Sequence, residues 1–296
     1  MFFAEAAGRK GPHMIRVEAL CCGYDKKDVL KNLSFHLKRG EFAGVLGPNG
    51  SGKSTLLFAL SGVLPIRSGS VRINGKEISR ISMRARARQM ASVPQKPEIS
   101  FSFKCLSIVL MGRYPFLSGW GGYSALDVEK ALEAMARTET LHLAQRMITD
   151  VSGGEAQGVL IAKALAQETD ILLLDEPTSS LDVARKIQVF DLLKQKNSEN
   201  TTILCALHDL NLAALYCDRL IFVKHGKIVL DGSTEETFND ENLSEIYETD
   251  VRVSRHPVTG SPQAHFVPGF KAASSVHGHV LGRREPVSGG NSSDYG

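Results

Sequence analysis

The chain has 296 residues, enough for one large domain or two modest ones with a sizeable core. Its 35 lysines and arginines nearly balance 32 aspartates and glutamates, so the formal net charge of +3 gives no electrostatic reason to expect a nucleic-acid partner. No apolar run approaches the roughly 18 residues needed to cross a bilayer, and the first 14 residues lack the charge order of a secretory signal, so we expect a cytosolic protein.

Short strand-like runs fill the chain from residue 15 to about 95. They lie at 15–22, 33–37, Phe42–Leu46, 70–73 and 91–94. The run Phe42–Leu46 is apolar throughout, as expected of a buried strand, and a glycine-rich loop follows it directly. Residues 1–14 are predicted to be a flexible N-terminal extension.

That loop, residues 47–54, reads Gly-Pro-Asn-Gly-Ser-Gly-Lys-Ser and fits the phosphate-binding pattern G-x-x-x-x-G-K-[ST] at every fixed position. Its glycines allow backbone conformations that turn several N–H groups inward, which makes a nest for phosphate oxygens. Lys53 adds a positive charge toward the outer phosphates, and the Ser54 hydroxyl can ligate Mg²⁺. A helix predicted over 54–60 then places its N-terminus at the anion.

The character of the sequence changes from about 98 to 150. Apolar residues recur at helical spacing between Asp127 and Arg137, which predicts a helical insertion. From 152 to about 235, predicted helices alternate with strands, and this alternation favours a mainly parallel sheet covered by helices. The helices are 153–167, 183–196 and 209–216, and the strands are 171–174, 202–206, 219–224 and 227–231. Residues 241–248 are predicted to be helical, 250–268 to hold two short strands, and 270–296 to be a disordered tail.

Two acids, Asp175 and Glu176, end the apolar run that begins at Ile171. Such a run suits a central parallel strand, and ligands in open α/β sheets bind at the carboxyl ends of strands. Asp175 is therefore predicted to face a Mg²⁺ ion beside the phosphate loop, and Glu176 to polarise the water that attacks the γ-phosphate. Taken alone, the two acids would also fit a solvated strand end.

Three further features are weaker by themselves. Residues 152–155, Ser-Gly-Gly-Glu, precede a helical run and match a helix capping box, although capping does not require two adjacent glycines. His208 follows the apolar run 202–207, where a phosphate-sensing role competes with a structural one. Gln95 follows a strand-like run, and Tyr24 lies upstream of the loop, where it could stack on adenine or simply pack.

In this order the motifs resemble the nucleotide-binding subunit of ATP-binding-cassette (ABC) transporters. Seven of them occur in sequence over about residues 15–250. The resemblance identifies Tyr24 with the adenine-stacking aromatic, 47–55 with the Walker A loop, Gln95 with the Q-loop, 152–155 with the signature motif, Ile171 to Glu176 with Walker B, 180–182 with the D-loop and His208 with the switch histidine. Two positions depart from the usual signature, namely Val151 in place of Leu and Gly158 in place of Arg.

The resemblance implies an α/β fold with a P-loop NTPase (RecA-like) core, an antiparallel β subdomain and a helical subdomain insertion. The ATPase domain is then expected at 15–240, the helical subdomain at about 98–150 and a small C-terminal extension at 241–269. ATP and Mg²⁺ are the implied cofactors, and Ser54, Gln95 and Asp175 the implied Mg²⁺ ligands. The implied catalytic residues are Lys53, Gln95, Glu176 and His208. The implied nucleotide contacts are Tyr24, Gly47, Pro48, Asn49, Gly50, Ser51, Gly52, Lys53, Ser54, Thr55, Ser152, Gly153, Gly154, Glu155 and Asp182.

The family also implies a homodimer in which each ATP lies between Walker A of one subunit and the signature of the other. The implied partners are integral-membrane permease subunits and, indirectly, a substrate-binding protein, with no nucleic acid. The implied location is peripheral, on the cytoplasmic face of the inner membrane.

The cargo is less firmly indicated by the sequence. Residues Met111–Phe116, 208–213 and 256–260 resemble importers of iron–siderophore, haem and cobalamin. Molybdate or tungstate import remains open. Three other classes also remain open: a soluble ABC scaffold, for example in iron–sulfur cluster assembly, a nucleic-acid or translation ATPase of the same superfamily, and a phosphate-loop small-molecule kinase.

Overall fold

The computed structural model describes residues 13–95, 102–118 and 122–268. Its strands are β1 His13–Tyr24, β2 Lys27–Lys38, β3 Phe42–Leu46, β4 Ser68–Ile73, β5 Lys76–Glu77, β6 Met90–Val93, β7 Ile171–Asp175, β8 Thr202–Ala206, β9 Arg219–Lys224, β10 Lys227–Ser233, β11 Val251–Arg255 and β12 Pro262–Phe266. Its α-helices are α1 Lys53–Ser61, α2 Met83–Ala87, α3 Cys105–Leu110, α4 Ala125–Arg137, α5 Gly153–Ala166, α6 Val183–Ser198, α7 Leu210–Tyr216, α8 Thr234–Thr237 and α9 Asp240–Tyr247.

A six-stranded sheet with the order β10-β9-β3-β8-β7-β6 forms the centre of the molecule. Its strands pair in parallel from β9 to β6, while the edge strand β10 runs antiparallel to β9. Strands β3, β7 and β8 are buried along their whole length, which explains their continuous apolar sequences. The parallel arrangement brings the carboxyl ends of neighbouring strands to one edge of the sheet.

Alternate side chains of the central strands enter two separate cores, as the twofold periodicity of a strand requires. On β3, Phe42 and Leu46 lie in one core while Ala43 and Val45 lie in the other. The first core is shared with helices α3 to α7 and α9. The second lies between the sheet, helix α1 and a four-stranded antiparallel sheet with the order β2-β1-β4-β5. The predicted α/β class with an added antiparallel sheet is confirmed.

The described part of the chain between strand β6 and residues 152–155 is mainly helical. In α4, the apolar stripe predicted from the sequence is buried at Ala131 and Met135. Helix α3 continues into a 3₁₀ helix, Met111–Phe116, from which the Arg113 side chain points inward. Its guanidinium donates to Asp127 at 3.0 Å and to the Ala166 carbonyl at 2.8 Å, so it connects this segment to the C-terminal end of α5.

Element boundaries differ from the prediction mainly at the start of the chain. Strand β1 begins at His13, two residues before the expected start, and β2 is longer than the run 33–37 because its first half pairs with the end of β1. At the other end, helix α9 and the hairpin β11–β12 lie where a helix and two short strands were expected. The predicted tail 270–296 and residues 1–12 fall outside the described residues. Among the helices that the structure describes, none is long and apolar enough to cross a membrane.

Candidate functional site

Four predicted site segments follow four strands that are adjacent in the central sheet. The phosphate loop follows β3, His208 follows β8, Asp175 and Glu176 end β7, and Gln95 follows β6. Because β3, β8, β7 and β6 are consecutive neighbours and parallel, these segments meet at one edge of the sheet. The sheet order is therefore what assembles the candidate site.

The phosphate loop has the backbone geometry that its glycines allow. Gly47 has φ +144° and a Cβ there would lie 2.0 Å from the Val223 carbonyl oxygen, so no side chain fits. Gly52 has φ +111° and forms the N-cap of α1 in a left-handed conformation. The loop thus passes directly into the N-terminus of a helix, where unpaired N–H groups favour an anion.

Lys53, the loop's cation, is buried and held by the loop itself. Its Nζ donates to the carbonyl oxygens of Gly47 at 2.9 Å and Pro48 at 3.3 Å. Burial lowers the pKa of Lys53, while the nearby carboxylates of Glu176 and Asp175 oppose that shift. The bonds to Lys53 Nζ described above come from neutral carbonyl oxygens. A phosphate bound in the loop would give this buried ammonium a negatively charged partner.

Asp175 and Ser54 form the pair that suits a magnesium ion. Asp175 is buried, and the neighbouring Ser54 hydroxyl acts to lower the pKa of its carboxyl group. Burial is the main cause of a raised pKa of Asp175, and its Oδ1 has no hydrogen-bond partner in the described part of the chain. One carboxylate and one hydroxyl, completed by phosphate and water oxygens, match how Mg²⁺ is usually held in nucleotide sites. Consistently, residues 13–95, 102–118 and 122–268 contain no cluster of three or more His, Cys, Asp or Glu that would hold a metal alone.

Glu176 lies between Gln95 and His208. Its carboxylate accepts a hydrogen bond from Gln95 Nε2 and is in contact with His208 Nε2. The residue has φ +47°, an unusual value for a non-glycine residue, and its backbone N–H donates to the Ala206 carbonyl at 3.0 Å. The chain therefore turns sharply after β7, and this turn aims a largely buried carboxylate toward the two neighbouring strand ends.

A pocket of about 460 Å³ lies at this edge of the sheet. It is lined by Val29, Asn49, Gly50, Ser51, Gly52, Lys53, Ser54, Thr55, Gln95, Glu176 and His208. Val29 was not predicted; it lies on β2, and no local sequence signal places it beside the loop. Tyr24 is half exposed at the end of β1 and, among the described residues, is not part of this lining.

Residues 152–155 form the capping box expected from their sequence. The Ser152 hydroxyl accepts from the Glu155 N–H at 3.3 Å, and the Glu155 carboxylate accepts from the Ser152 N–H at 2.8 Å. These bonds to Ser152 lower the pKa of Glu155. Asp182 caps the next helix in a similar way, since its Oδ1 accepts from the Arg185 N–H at 2.9 Å. Both segments are thus shaped by local hydrogen bonds.

The structure does not bring residues 152–155 or Asp182 into the pocket of their own chain, as far as the described residues extend. Gly154 instead borders a second groove, of about 310 Å³, together with Leu181 and Arg185. A Cβ on Gly153 would have no atom of the described chain within 4 Å. The face of the signature motif is therefore open to another molecule.

Close packing explains the glycine at position 158, where the signature helix usually has an arginine. A Cβ at this position would approach the Thr140 Cγ2 to 2.8 Å, and Thr140 is buried. The glycine lets α5 pack closely against the turn after α4. The expected cost of glycine in a helix, about 1 kcal/mol relative to alanine, is offset by this close packing.

Comparison with known proteins gives a consistent family. The family model described as ABC transporter matches residues 30–179. The cobalamin import ATP-binding protein BtuD of Halobacterium salinarum is 37% identical over 256 residues, which cover 86% of this chain and 64% of BtuD. The chain therefore spans less than two thirds of the length of that relative. The hemin import ATP-binding protein HmuV of Pseudomonas aeruginosa is 40% identical over 254 residues, which cover 84% of this chain and 98% of HmuV.

Solved structures agree with the sequence relatives. An ABC transporter assigned to the metal-chelate type, in an inward-facing conformation, superposes with a TM-score of 0.74 at 30% identity and covers 88% of this chain and 98% of the matched chain. A dimeric ATP-binding cassette in a post-hydrolysis state with ADP and phosphate superposes with a TM-score of 0.69 at 27% identity and covers 75% of this chain and 99% of the other.

Proposed function

This chain belongs to the ABC transporter family, and on that premise we propose that it is the ATP-hydrolysing subunit that powers import of a metal chelate through a separate permease. The observation that carries the proposal is the meeting of Lys53, Gln95, Glu176 and His208 around one pocket at the ends of consecutive parallel strands. Phosphoryl transfer requires mainly positioning and charge stabilisation, and these side chains supply both.

Each residue has a role that follows from its place. Lys53, buried at the base of the loop, binds the β- and γ-phosphates, and His208 holds the γ-phosphate from the end of the neighbouring strand. Glu176 orients and polarises the attacking water. Its carboxylate is engaged by Gln95 and His208, so these two side chains turn toward nucleotide and free the carboxylate when ATP enters.

Mg²⁺, when bound, neutralises developing charge on the phosphates. Ser54 and Asp175 would hold it, with Gln95 at the rim of the pocket. The unpaired, buried Oδ1 of Asp175 supports this assignment, because an ion would satisfy an oxygen that the described chain leaves without a partner.

The active form is a homodimer with two nucleotides at its interface. Residues 152–155 and Asp182 contact the ATP held by the phosphate loop of a second copy. The open face of Gly153 supports this arrangement, as does the dimeric cassette among the similar structures. ATP then favours the closed dimer by adding contacts on both sides, and hydrolysis removes them.

The cargo is a metal chelate of the iron–siderophore, haem or cobalamin type. The similarity to cobalamin and hemin import proteins supports this class over molybdate or tungstate. The subunit is peripheral to the membrane and binds permease subunits that receive substrate from a binding protein. A soluble ABC scaffold is the second candidate, and co-purification with a polytopic membrane subunit separates the two.

The decisive experiment replaces Glu176 with Gln in the full chain. The variant is expected to bind Mg-ATP and to dimerise with it, while hydrolysis falls roughly 10²-fold or more, the usual effect of losing a general base. Light scattering with and without ATP measures the dimer, and phosphate release measures turnover. Glu129→Gln, an exposed carboxylate on α4, is the matched control and should match the unmodified chain.

Wild-type turnover by the Glu176→Gln variant would refute the role of this carboxylate. Failure of the unmodified chain to bind Mg-ATP would refute the function as a whole. An uptake assay with labelled iron chelate, haem, cobalamin and molybdate, using the chain with its permease, then identifies the cargo.

A further inference from the structure

We propose that Asn211 and Tyr247 are positioning residues. Through them, the C-terminal unit holds the His208 segment and the phosphate loop at a fixed distance from each other. The C-terminal unit is here helix α9 with the hairpin β11–β12, residues 240–266. The inference rests on the proposed function, since it assigns these residues to the hydrolysis of ATP in the pocket already described.

The C-terminal unit is a single cross-connected piece. The Ser244 hydroxyl on α9 accepts from the Val251 N–H at 3.0 Å, and the Asp240 carboxylate accepts from the Val253 N–H at 2.7 Å. Both bonds join the helix to the first strand of the hairpin. Val251 is also fully buried in the core beneath the sheet. The helix and the hairpin therefore move together.

One end of the unit holds the segment after β8. The Asn211 side chain, three residues after His208, donates to the Ala264 carbonyl at 3.3 Å and accepts from the Ala264 N–H at 2.7 Å. Asp209 caps the same first turn of α7. A side-chain amide that pairs with both backbone groups of one strand residue fixes orientation as well as distance. His208 thus precedes a turn that is attached to the hairpin.

The other end of the unit lies next to the strand end that packs against Gly47, at the base of the phosphate loop. A Cβ on Gly47 would lie 2.0 Å from the Val223 carbonyl oxygen, and Lys224 follows Val223 on β9. The Tyr247 hydroxyl oxygen is buried and has no hydrogen-bond partner among the described residues. Burial raises the pKa of Tyr247 to about 12, and the neighbouring backbone N–H of Gly47 acts in the opposite direction. Lys224, at the end of β9, donates to the Glu245 carbonyl at 3.2 Å and pairs with Glu248 at 2.7 Å, which holds this end of α9 in place.

These two attachments matter because the γ-phosphate must be held from both sides at once. Lys53 approaches it from the loop and His208 from the next strand end, and misplacement by about 1 Å can cost on the order of 10²-fold in rate. A unit that is hydrogen-bonded to Asn211 after His208, and to Lys224 beside the base of the loop, restrains the separation of the two segments. A small shift of Gly47 on nucleotide entry would also give the buried Tyr247 hydroxyl a partner, which favours the loaded loop.

The two residues are predicted to affect different kinetic parameters of the full chain. Asn211→Ala releases the His208 side and should lower kcat about tenfold with KM for Mg-ATP nearly unchanged. Asn211→Asp keeps the acceptor for the Ala264 N–H and should recover part of that loss. Tyr247→Phe keeps the ring but removes the hydroxyl beside Gly47, and should raise KM severalfold with kcat retained. Asn242→Ala is the control, since it removes a comparable side-chain bond from the same unit, to the Thr237 carbonyl at the end of α8.

Steady-state ATPase kinetics and nucleotide titrations distinguish the outcomes. A lower kcat for Asn211→Ala and a higher KM for Tyr247→Phe, with Asn242→Ala resembling the unmodified chain, would support the proposal. Three variants that change kcat and KM alike, or not at all, would overturn it while leaving the proposed function intact. Absence of Mg-ATP hydrolysis by the unmodified chain would instead count against the proposed function.

Discussion

Replacing Gly153 with alanine separates the capping role of residues 152–155 from their proposed contact with nucleotide. Gly153 is the first residue of α5, and a Cβ there meets no atom of the described chain within 4 Å. The capping bonds between Ser152 and Glu155 do not involve its side-chain position. Within one chain, the added methyl group has nothing to displace.

The expected stability change is small and favourable. Exchanging glycine for alanine where the backbone is already helical stabilises a protein by about 0.4–1 kcal/mol, chiefly by restricting the unfolded chain. For a domain of this size, that raises Tm by roughly 1–4 °C. If the two glycines serve only a helix cap, ATPase activity should be unaffected. If a phosphate of the second copy's nucleotide approaches this backbone, the methyl group blocks it. Turnover should then fall roughly 10²-fold, the lower end of the effect of losing one oxyanion-type donor.

The assay combines thermal unfolding of the apo protein, phosphate release and ATP-dependent dimerisation in the Glu176→Gln background. Gly122→Ala is the matched control, because a Cβ on Gly122 would likewise meet no described atom within 4 Å, while this glycine lies in the segment before α4. Normal turnover and dimerisation with Gly153→Ala would refute the contact between copies. A marked drop in Tm would instead refute our view that this position is free of intrachain constraint.

Two more substitutions test the buried charges. Arg113→Met leaves the buried Asp127 carboxylate without its cation and should destabilise the fold by about 3 kcal/mol in urea unfolding at neutral pH; a loss below about 1 kcal/mol would contradict the pairing. Hydrogen bonds from Ser124, and then from Arg113, hold the pKa of Asp127 below its ordinary 3.8. The stability that this carboxylate contributes is therefore present above pH 3.8 and is lost as the pH falls through its folded-state pKa. The difference in stability between Arg113→Met and the unmodified chain should accordingly shrink in acid. Asp175→Asn should raise the Tm of the apo protein, because burial raises the pKa of Asp175 and its charge destabilises the fold above that pKa. The variant should nevertheless lose both turnover and stabilisation by Mg-ATP. A lower Tm of the apo protein would contradict the reasoning.

The local chemistry of the backbone was readable from the sequence. The glycines and Lys53 of the phosphate loop, the apolar strand that ends at Asp175 and the capping box at residues 152–155 all depend on residues close together in the chain. The predicted strand Phe42–Leu46 has the observed bounds, and most predicted helices end within two residues of the observed ones. Periodicity and turn chemistry act over a few residues, so a single sequence is enough to reveal them.

The tertiary structure decided what these segments meet. Gln95, Glu176 and His208 are far apart in sequence, and the strand order β3-β8-β7-β6 is what places them around one pocket. The fit of Gly158 against Thr140 and the bond from Asn211 to Ala264 had no sequence signal. Sheet order and helix packing are fixed by burial summed over the whole chain, so contacts between distant segments follow from the fold and not from any one motif.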